Sequence, residues 1–254
     1  MEGNGRVALV TGGGRGIGRA ISVGLAEDGF DVAVNYRRDK DAAAETVAQI
    51  TRLGRRGESF QASVDSLEEM QAMVDLLVAT FGQLDAVVHN AGVTNRGRTV
   101  ADTELADLER VMGIHAFGAH HVCQLAVPHL RSRPRGDVVL ISSQSTQSFD
   151  PNSAPYTMAK AGLEALAFTL AREEARNGIR VNVVAGGLVN TEMGRRLAKG
   201  ALGVDDIHDL DRNVPLGRVC EPEDIASVVR FLVSDRCTLV TGQRIAVDGG
   251  GFGR

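Results

Sequence analysis

Three side chains in the stretch from Ser142 to Lys160 could act together on one carbonyl oxygen. Tyr156 and Lys160 are four residues apart, so a helix would place both on one face. A neighbouring ammonium favours the phenolate form of a tyrosine, whose pKa is ordinarily about 10, and so brings proton transfer closer to neutral pH. Ser143 lies thirteen residues before Tyr156 and supplies a hydroxyl for the same oxygen. The spacing predicts a proton-transfer site, although a Tyr-Lys pair alone is also typical of an exposed helix.

Local signals indicate the elements that would position these groups. The apolar run over residues 138–141 predicts a buried strand that carries Ser143 at its end. Asn152 and Ser153 can cap a helix and Pro155 suits a first helical turn, so the helix of Tyr156 is expected to begin there.

Strand and helix patterns alternate along the whole chain. Strands are expected over residues 6–10, 31–35, 58–61, 86–89, 138–142, 180–184 and 244–247. Helices are expected over residues 17–28, 40–53, 67–81, 104–130 and 156–177, and from 221 onward. This alternation predicts one doubly wound, Rossmann-type α/β domain over residues 1–254, with a parallel sheet of about seven strands and helices on both faces. The polar, poorly periodic segment 194–213 is expected to be a mobile lid over the substrate.

The composition argues against several classes of partner. A net charge of −4 gives no basis for binding nucleic acid or an anionic membrane. Five residues precede the first apolar run and no apolar stretch could span a bilayer, so we expect a cytoplasmic protein. The three cysteines are scattered and predict reduced packing residues, and the six histidines lack the spacing of a metal site. The basic stretch 131–135 is interpreted as a solvated loop at a helix end.

A glycine-rich turn joins the first strand to the first helix. Residues 11–18 read TGGGRGIG, and such glycines let a backbone approach a pyrophosphate at a helix N-terminus. The turn is not of the GxGxxG form and is weak evidence by itself. After the second strand stand Arg37 and Arg38, where an acid would favour NAD, and Arg15 lies in the turn. NADP(H) is therefore favoured over NAD(H), unless Arg37 and Arg38 form only a solvated loop.

The motifs TGGGRGIG, Asn90-Ala91-Gly92 and Ser143 with Tyr156-x-x-x-Lys160 occur in an order that resembles the short-chain dehydrogenase/reductase family. The resemblance covers essentially the whole chain. It is strongest toward the 3-oxoacyl-(acyl carrier protein) reductase branch, through VALVTGGGRGIGRAI, YTMAKAGL, GIRVNVV and LVTGQRIAVDGGG.

The resemblance implies a cofactor site with distinct parts. Its pyrophosphate side would be held by Thr11, Gly12, Arg15, Gly16, Ile17 and Gly18. Arg37 would lie near the 2′-phosphate, and the adenosine side would meet Ser63, Val64, Asn90, Ala91 and Gly92. The nicotinamide side would meet Tyr156, Lys160, Gly187, Val189 and Thr191.

The resemblance also implies a reaction, in which NADPH reduces a ketone such as a 3-oxoacyl thioester or a polyketide-like carbonyl. Ser143 and Tyr156 would bind the oxygen, Tyr156 would donate the proton, and Lys160 would lower the pKa of the phenol and hold the ribose. The substrate would be a small molecule or carrier-bound, and the protein would be a homotetramer.

This sequence departs from the family pattern at three positions. His115 stands where the family has a catalytic asparagine that supports a water chain. An imidazole can bind water and titrates near physiological pH, so His115 is a candidate relay residue, or else a packing residue. Gly186 replaces a proline and is expected to loosen the segment that follows. Ser63 replaces an aspartate that meets the adenine, which leaves the adenine contacts open.

Two other functions remain compatible with the sequence. One is an NAD-dependent secondary alcohol dehydrogenase, against which the two arginines argue. The other is a cofactor-binding scaffold or regulatory subunit with weakened catalysis, which the departures from the family pattern at His115 and Gly186 suggest.

Overall fold

The computed structural model describes residues 5–251, and within that range seven parallel strands form one sheet. The ends of the predicted domain, 1–4 and 252–254, lie outside the described residues. The strands are β1 (Val7–Thr11), β2 (Asp31–Tyr36), β3 (Gly57–Gln61), β4 (Ala86–His89), β5 (Gly136–Ser143), β6 (Ile179–Gly186) and β7 (Arg244–Val247). Their order across the sheet is β3-β2-β1-β4-β5-β6-β7. The predicted doubly wound fold is confirmed.

Helices cover both faces of this sheet. They are α1 (Gly16–Glu27), α2 (Lys40–Arg52), α3 (Leu67–Phe81), α4 (Leu105–Met112), α5 (Gly118–Arg131), α6 (Ser145–Ser148), α7 (Ala154–Glu174), α8 (Glu192–Leu202) and α9 (Pro222–Val233). One hydrophobic core lies between the sheet and α3, α5 and α7, and a second lies between the sheet and α1, α2 and α9. Because both faces are covered, β1, β4 and β6 are buried along their whole length and consist mainly of apolar residues.

The site is positioned by the change of direction in the strand order. Strand β1 pairs with β2 on one side and with β4 on the other, so the connections that leave β1 and β4 run to opposite faces of the sheet. A crevice opens where such connections diverge, at the carboxyl ends of the strands. Thr11 and His89 are the last residues of these two strands and are paired in register.

Two predicted elements differ in their local structure. The helix expected over residues 104–130 is interrupted by a π-helical turn, Gly113–Phe117, which joins α4 to α5 and contains His115. The segment 194–213 is helical rather than irregular, since it comprises most of α8 and a 3₁₀ helix, Ile207–Asn213. Its apolar residues form a small separate core with the chain that follows, consisting of Ala198, Ile207, Leu210, Val214 and Val219. Its movement as a lid stays a prediction.

The basic stretch after α5 is not a solvated loop. Arg131, Arg133 and Arg135 bind the buried carboxylates of Glu174, Asp85 and Asp137, respectively. These carboxylates lie 43, 48 and 2 residues away in the chain, so most of the pattern is invisible locally. The arginines join α7 and the amino ends of β4 and β5 at the edge of the sheet opposite the crevice.

Two further expectations concern the cysteines and membrane-spanning helices. The three cysteines, Cys123, Cys220 and Cys237, are free and buried, as expected of packing residues. Within residues 5–251, no helix is both long and apolar enough to cross a membrane.

Helix α7 should depend strongly on the core beneath it. Leu163 is 0% exposed and packs against the sheet. We expect Leu163→Ala to lower the free energy of unfolding by about 2–5 kcal/mol, since the helix cannot fully collapse into the space left behind. Leu76→Ala on α3 is the control, because Leu76 is 58% exposed and its loss should cost less than about 1 kcal/mol. Urea unfolding measures both, and equal losses would contradict this packing.

Candidate active site

The structure brings Ser143, Tyr156 and Lys160 together. Ser143 ends β5, Tyr156 is the third residue of α7, and Lys160 follows one turn later. The Ser143 hydroxyl lies within hydrogen-bonding reach of the Tyr156 hydroxyl. The Lys160 Nζ atom lies 5.7 Å from the centre of the Tyr156 ring. Two hydroxyls therefore meet at the carboxyl edge of the sheet with an ammonium beside the tyrosine ring, and an oxygen of a ligand could accept from both hydroxyls.

The start of α7 differs from the predicted cap. Ser153 occupies the N-cap position and Pro155 lies in the first turn, as the sequence indicates. The Ser153 hydroxyl, however, does not bond to an N–H group of the helix, because it donates to the carbonyl of Asp150 instead. Asn152 adopts a left-handed conformation with φ of 63°, which asparagine tolerates better than most residues. The Ser153 hydroxyl thus closes the turn before α7, and Pro155 follows as the second residue of the helix.

The Lys160 ammonium is buried, with 4% of the residue exposed. It donates a hydrogen bond of 2.7 Å to the carbonyl of Ile141 in β5. Burial lowers the pKa of Lys160 to about 7, against an opposing effect of the Glu164 carboxylate. The lysine therefore lies close to the midpoint of its titration at neutral pH.

The pKa of Tyr156 is raised, which corrects the expectation of a lowered value. Loss of water around the hydroxyl raises this pKa, and the hydrogen bond from Ser143 only partly offsets the effect. Lys160 directs its ammonium toward the Ile141 carbonyl rather than toward the phenol oxygen. Tyr156 is thus a protonated phenol at neutral pH, the form that can donate a proton.

His115 lies in the π-helical turn and meets the Tyr156 ring edge-on, with ring centres 5.2 Å apart and an angle of 87° between the planes. Its Nε2 atom lies 2.8 Å from the oxygen and 3.1 Å from the nitrogen of Val93. Burial and the Lys160 charge lower the pKa of His115 well below its ordinary value. The expectation that His115 titrates near physiological pH is therefore wrong, and any relay role would use a neutral ring.

The glycine turn is fastened to the end of β4. The Thr11 hydroxyl accepts from the backbone N–H groups of Asn90 and Ala91 at 3.0 and 3.1 Å. The Asn90 amide donates to the carbonyls of Thr11 and Gly12 at 3.1 and 3.2 Å. Gly92 lies against His115, whose Cε1 atom would be only 2.6 Å from a Cβ at that position. Thr11, Gly12, Asn90, Ala91 and Gly92 therefore form one wall of the crevice.

The geometry of the turn fits a dinucleotide. Gly12 and Gly16 have φ angles of 61° and 53°, which residues with a Cβ rarely adopt. A Cβ at Gly18 would lie 2.1 Å from the Gly12 carbonyl oxygen, so the turn can pack onto the first turn of α1 only with glycine there. Ile17, the second residue of α1, is partly buried and packs against the hydrophobic core. The helix thus presents its N-terminus at the crevice, as an anionic pyrophosphate requires.

A polar cavity of about 470 Å³ lies beyond the ends of β2 and β3. Its lining consists of Arg37, Arg38, Gln61, Ser63, Asp65, Ser66 and Glu69. Both arginines are exposed, and neither guanidinium has a hydrogen bond or ion pair to another residue of the described range. The Ser63 hydroxyl donates to the Asp65 carboxylate. A carboxylate therefore lies next to Ser63, the position at which the family pattern has an aspartate. Val64, just beyond, is buried.

Arg15 is set apart from these two arginines. Its guanidinium lies 3.2 Å from the carboxylate of Glu192 and 4.0 Å from that of Asp39. It therefore joins the glycine turn to the start of α8, and two arginines rather than three are left to receive a phosphate.

The segment after β6 reaches back to the glycine turn. The Gly187 N–H donates to the Val247 carbonyl at 3.0 Å, and the Gly186 carbonyl accepts from the Gln144 N–H at 2.9 Å. Val189 is buried, and Thr191 caps α8 by accepting from the Gly194 N–H at 3.0 Å. A Cβ at Gly16 would lie 3.3 Å from the Thr191 methyl carbon. The residues predicted for the two ends of the cofactor thus face one crevice.

Sequence reasoning missed several polar residues around the site that are buried or partly buried. Glu164 follows Lys160 by one turn and accepts from the Ser142 hydroxyl at 2.6 Å. Continuing the four-residue spacing by one turn would have found it. Arg244 and His89 come from β7 and β4, and no local pattern marks them. Among the described residues, no group of three His, Cys, Asp or Glu side chains could hold a metal ion.

Comparisons with known sequences agree over nearly the full chain. A family model described as enoyl-(acyl carrier protein) reductase matches residues 12–251. The chain is 37% identical over 244 residues to a 3-oxoacyl-[acyl-carrier-protein] reductase of Staphylococcus epidermidis, covering 96% of this chain and 97% of the relative. It is 34% identical over 247 residues to a 3-oxoacyl-[acyl-carrier-protein] reductase of Synechocystis, covering 96% of each.

Solved structures show the same fold with two different cofactors. A short-chain dehydrogenase from Burkholderia cenocepacia in complex with NADP is 32% identical, with a TM-score of 0.89 and coverage of 98% of this chain and 99% of that one. Carveol dehydrogenase from Mycobacterium avium in complex with NAD is 30% identical, with a TM-score of 0.91 and coverage of 97% of each chain.

Burial of Lys160 should be measurable as a pH dependence of stability. Its pKa of about 7 lies below the ordinary value of 10.5, so between these values the unfolded chain binds more protons. The unfolding free energy should therefore rise with pH in this window, by about 1 kcal/mol per pH unit, relative to Lys160→Met. Urea unfolding between about pH 7.5 and 9.5 measures the difference. Lys40→Met, at an exposed position, should run parallel to the unaltered protein, and a constant offset for Lys160→Met would contradict the assignment.

Proposed function

The chain belongs to the short-chain dehydrogenase/reductase family, and we propose that it reduces a ketone with NADPH. The observation that carries this proposal is the meeting of the Ser143 and Tyr156 hydroxyls above a buried Lys160 at the crevice edge. The glycine turn that faces the same crevice supports a dinucleotide as the second ligand.

In the proposed mechanism, Ser143 and Tyr156 bind the ketone oxygen by hydrogen bonds. When bound, the reduced dinucleotide supplies the hydride that goes to the carbonyl carbon. The two hydroxyls stabilise the negative charge that develops on the oxygen, and Tyr156 donates its proton to it. Because the pKa of Tyr156 is raised and that of Lys160 is about 7, the lysine is the more acidic group and can restore the phenol proton. This order of acidities favours reduction.

The cofactor would be held along the whole crevice. Thr11, Gly12, Gly16 and the N-terminus of α1 would face the pyrophosphate, and Thr191 would face the nicotinamide end. Arg37 and Arg38 have no competing partner in the described range and line a cavity that an adenosine phosphate could enter. A 2′-phosphate carries the charge that two free guanidiniums bind best, which supports NADPH over NADH.

We propose a 3-oxoacyl thioester, small or carrier-bound, as the substrate. The support is the likeness to relatives that are named for 3-oxoacyl reduction. The matching family model is described by enoyl reduction instead, so a 2-enoyl thioester belongs in the same assay.

We further propose a homotetramer, built on the long helices and on β7. Leu105 and Phe117 expose apolar side chains on the helix that runs from α4 to α5, as does Met158 on α7. Strand β7 ends the sheet, so its outer edge is free to meet a second copy.

The reaction is tested by NADPH oxidation with 3-oxoacyl thioesters and simple ketones. Turnover is expected for the unaltered protein, and Tyr156→Phe should lower kcat by about a hundredfold or more, since it removes the proton donor. Tyr36→Phe removes the only other phenol hydroxyl of the chain and should keep kcat. Turnover that survives Tyr156→Phe would contradict the mechanism. Binding of NADPH without turnover on any carbonyl would favour a scaffold, and turnover on enoyl thioesters alone would move the proposal to that substrate.

Cofactor preference is tested by replacing one guanidinium. Arg37→Ala should raise the KM for NADPH about tenfold or more, since a charge-assisted hydrogen bond is lost, and should leave the KM for NADH nearly unchanged. Arg52→Ala, an exposed arginine of α2, serves as the control for a general loss of positive charge. If the unaltered protein prefers NADH, or if Arg37→Ala affects both cofactors equally, the assignment of the 2′-phosphate to Arg37 is wrong.

A further inference from the structure

A buried carboxylate lies beneath the proposed active site, on the same face of α7 as Tyr156 and Lys160. Glu164 is 8% exposed. One of its oxygens, Oε1, accepts three hydrogen bonds, from Ser142 Oγ at 2.6 Å, Thr146 Oγ1 at 2.9 Å and Arg244 Nε at 3.0 Å. These three donors come from Ser142 and Thr146, which flank Ser143 in the chain, and from β7.

Arg244 extends this contact to the residues around Ser143. Its Nη2 atom donates to the Gln144 side-chain oxygen at 2.7 Å and to the Ser143 carbonyl at 3.3 Å. It also donates to the Thr146 hydroxyl at 3.2 Å. The Gln144 amide in turn donates to the Asp248 carboxylate, just past β7. One guanidinium thus fixes the main chain at the point where β5 ends and Ser143 presents its hydroxyl.

The charges around Lys160 single out Glu164. His89 on β4 and His115 on the π-helical turn both face the ammonium, but burial lowers the pKa of His89 to about 3 and that of His115 well below normal, so both are neutral. Tyr156 is protonated. Among the described groups that act on Lys160, Glu164 is the anion that favours its charged form, and Arg244 balances that anion in part.

A role in folding alone accounts poorly for this pair. Burying Glu164 and partly burying Arg244 costs hydration free energy, and apolar residues of similar size commonly give equal or better stability. The contacts of this pair are instead concentrated on Ser142, Ser143, Gln144 and Thr146, the chain that delivers the serine hydroxyl.

We propose that Glu164 and Arg244 are positioning residues of the reductase site. Arg244 holds the Ser143 carbonyl in place, and Glu164 keeps an anion one helical turn from Lys160, which favours the ammonium form of the lysine. The inference rests on the proposed function, because it assigns the pair to the Ser143, Tyr156 and Lys160 reaction.

The test compares pH profiles of kcat/KM for ketone reduction. Activity should fall on the alkaline side as Lys160 loses its proton. In Glu164→Gln this fall should move to lower pH by about half a unit to one unit, because an anion at the next helical turn is lost. Glu164→Asp keeps the charge and should restore the position of the fall. Glu173→Gln, at an exposed position of α7, is the matched control and should leave the profile in place.

Arg244 is tested by a different readout. Arg244→Gln should lower kcat about tenfold through displacement of Ser143, without moving the alkaline fall to lower pH and without changing the KM for NADPH. Arg172→Gln, an exposed arginine of α7, is its control. If Glu164→Gln does not fold, the double variant E164Q/R244M removes both charges, and the alkaline fall should still move to lower pH but by less than in Glu164→Gln, because Arg244 balances the anion in part.

Two outcomes would overturn the inference. One is a Glu164→Gln profile that is lowered equally at every pH, and the other is an Arg244→Gln enzyme with unchanged kcat. If the unaltered protein turns over no carbonyl, the proposed function fails separately, and the pair is still tested without turnover. The readout is the difference in unfolding free energy between a protein and its Lys160→Met variant, which rises with pH above the pKa of Lys160. This rise should begin at a lower pH when both proteins carry Glu164→Gln than when both keep Glu164. An equal pH would contradict the role of Glu164.

Discussion

The burial of one ammonium is the constraint on which the site depends. Lys160 must leave water to lie under Tyr156, and a lysine that gives up its hydration loses its charge unless the protein replaces that water. The Ile141 carbonyl replaces that water by a hydrogen bond, and the Glu164 carboxylate favours the charged form through its own charge. The hydrogen bond requires α7 to lie at a fixed depth against β5. The packing of Leu163 onto the sheet and the polar contacts after Ser143 therefore serve the same purpose, which is to hold a charge where water would otherwise be needed.

The elements with strong local signals could be predicted closely from the sequence. The bounds of α3, β4 and β7 agree with those expected, because each has a clear periodicity or a continuous apolar run. The errors lie where distant residues decide the structure. The arginines at the end of α5 and just after it bind buried carboxylates that lie mostly far away in the chain. The segment after β6 is helical because its apolar residues pack against one another, and Ser153 bonds to the turn before the helix rather than to the helix. None of these partners is visible in a local pattern.

The site was predictable to the extent that it follows helical spacing and a family likeness. Ser143, Tyr156 and Lys160 come together because one helix and one strand end deliver them. The protonation states did not follow from the spacing, since the pKa values of Tyr156 and His115 are set by burial, which a sequence does not show. The partners of Glu164 were equally hidden, because Arg244 is 80 residues away and the two meet only when β7 joins the sheet.

The place of Arg244 on β7 has a consequence for the order in which the protein is made. A ribosome synthesises the glycine turn, the serine and the whole of α7 before it reaches this strand. Until β7 pairs with β6, Glu164 has no counter-ion and the chain after Ser143 has no guanidinium to hold it. The glycine turn and α1 are made long before then, and α9, which completes the core beside α1, is made shortly before β7. The proposed reaction centre of a nascent chain is therefore finished by the last strand of the sheet.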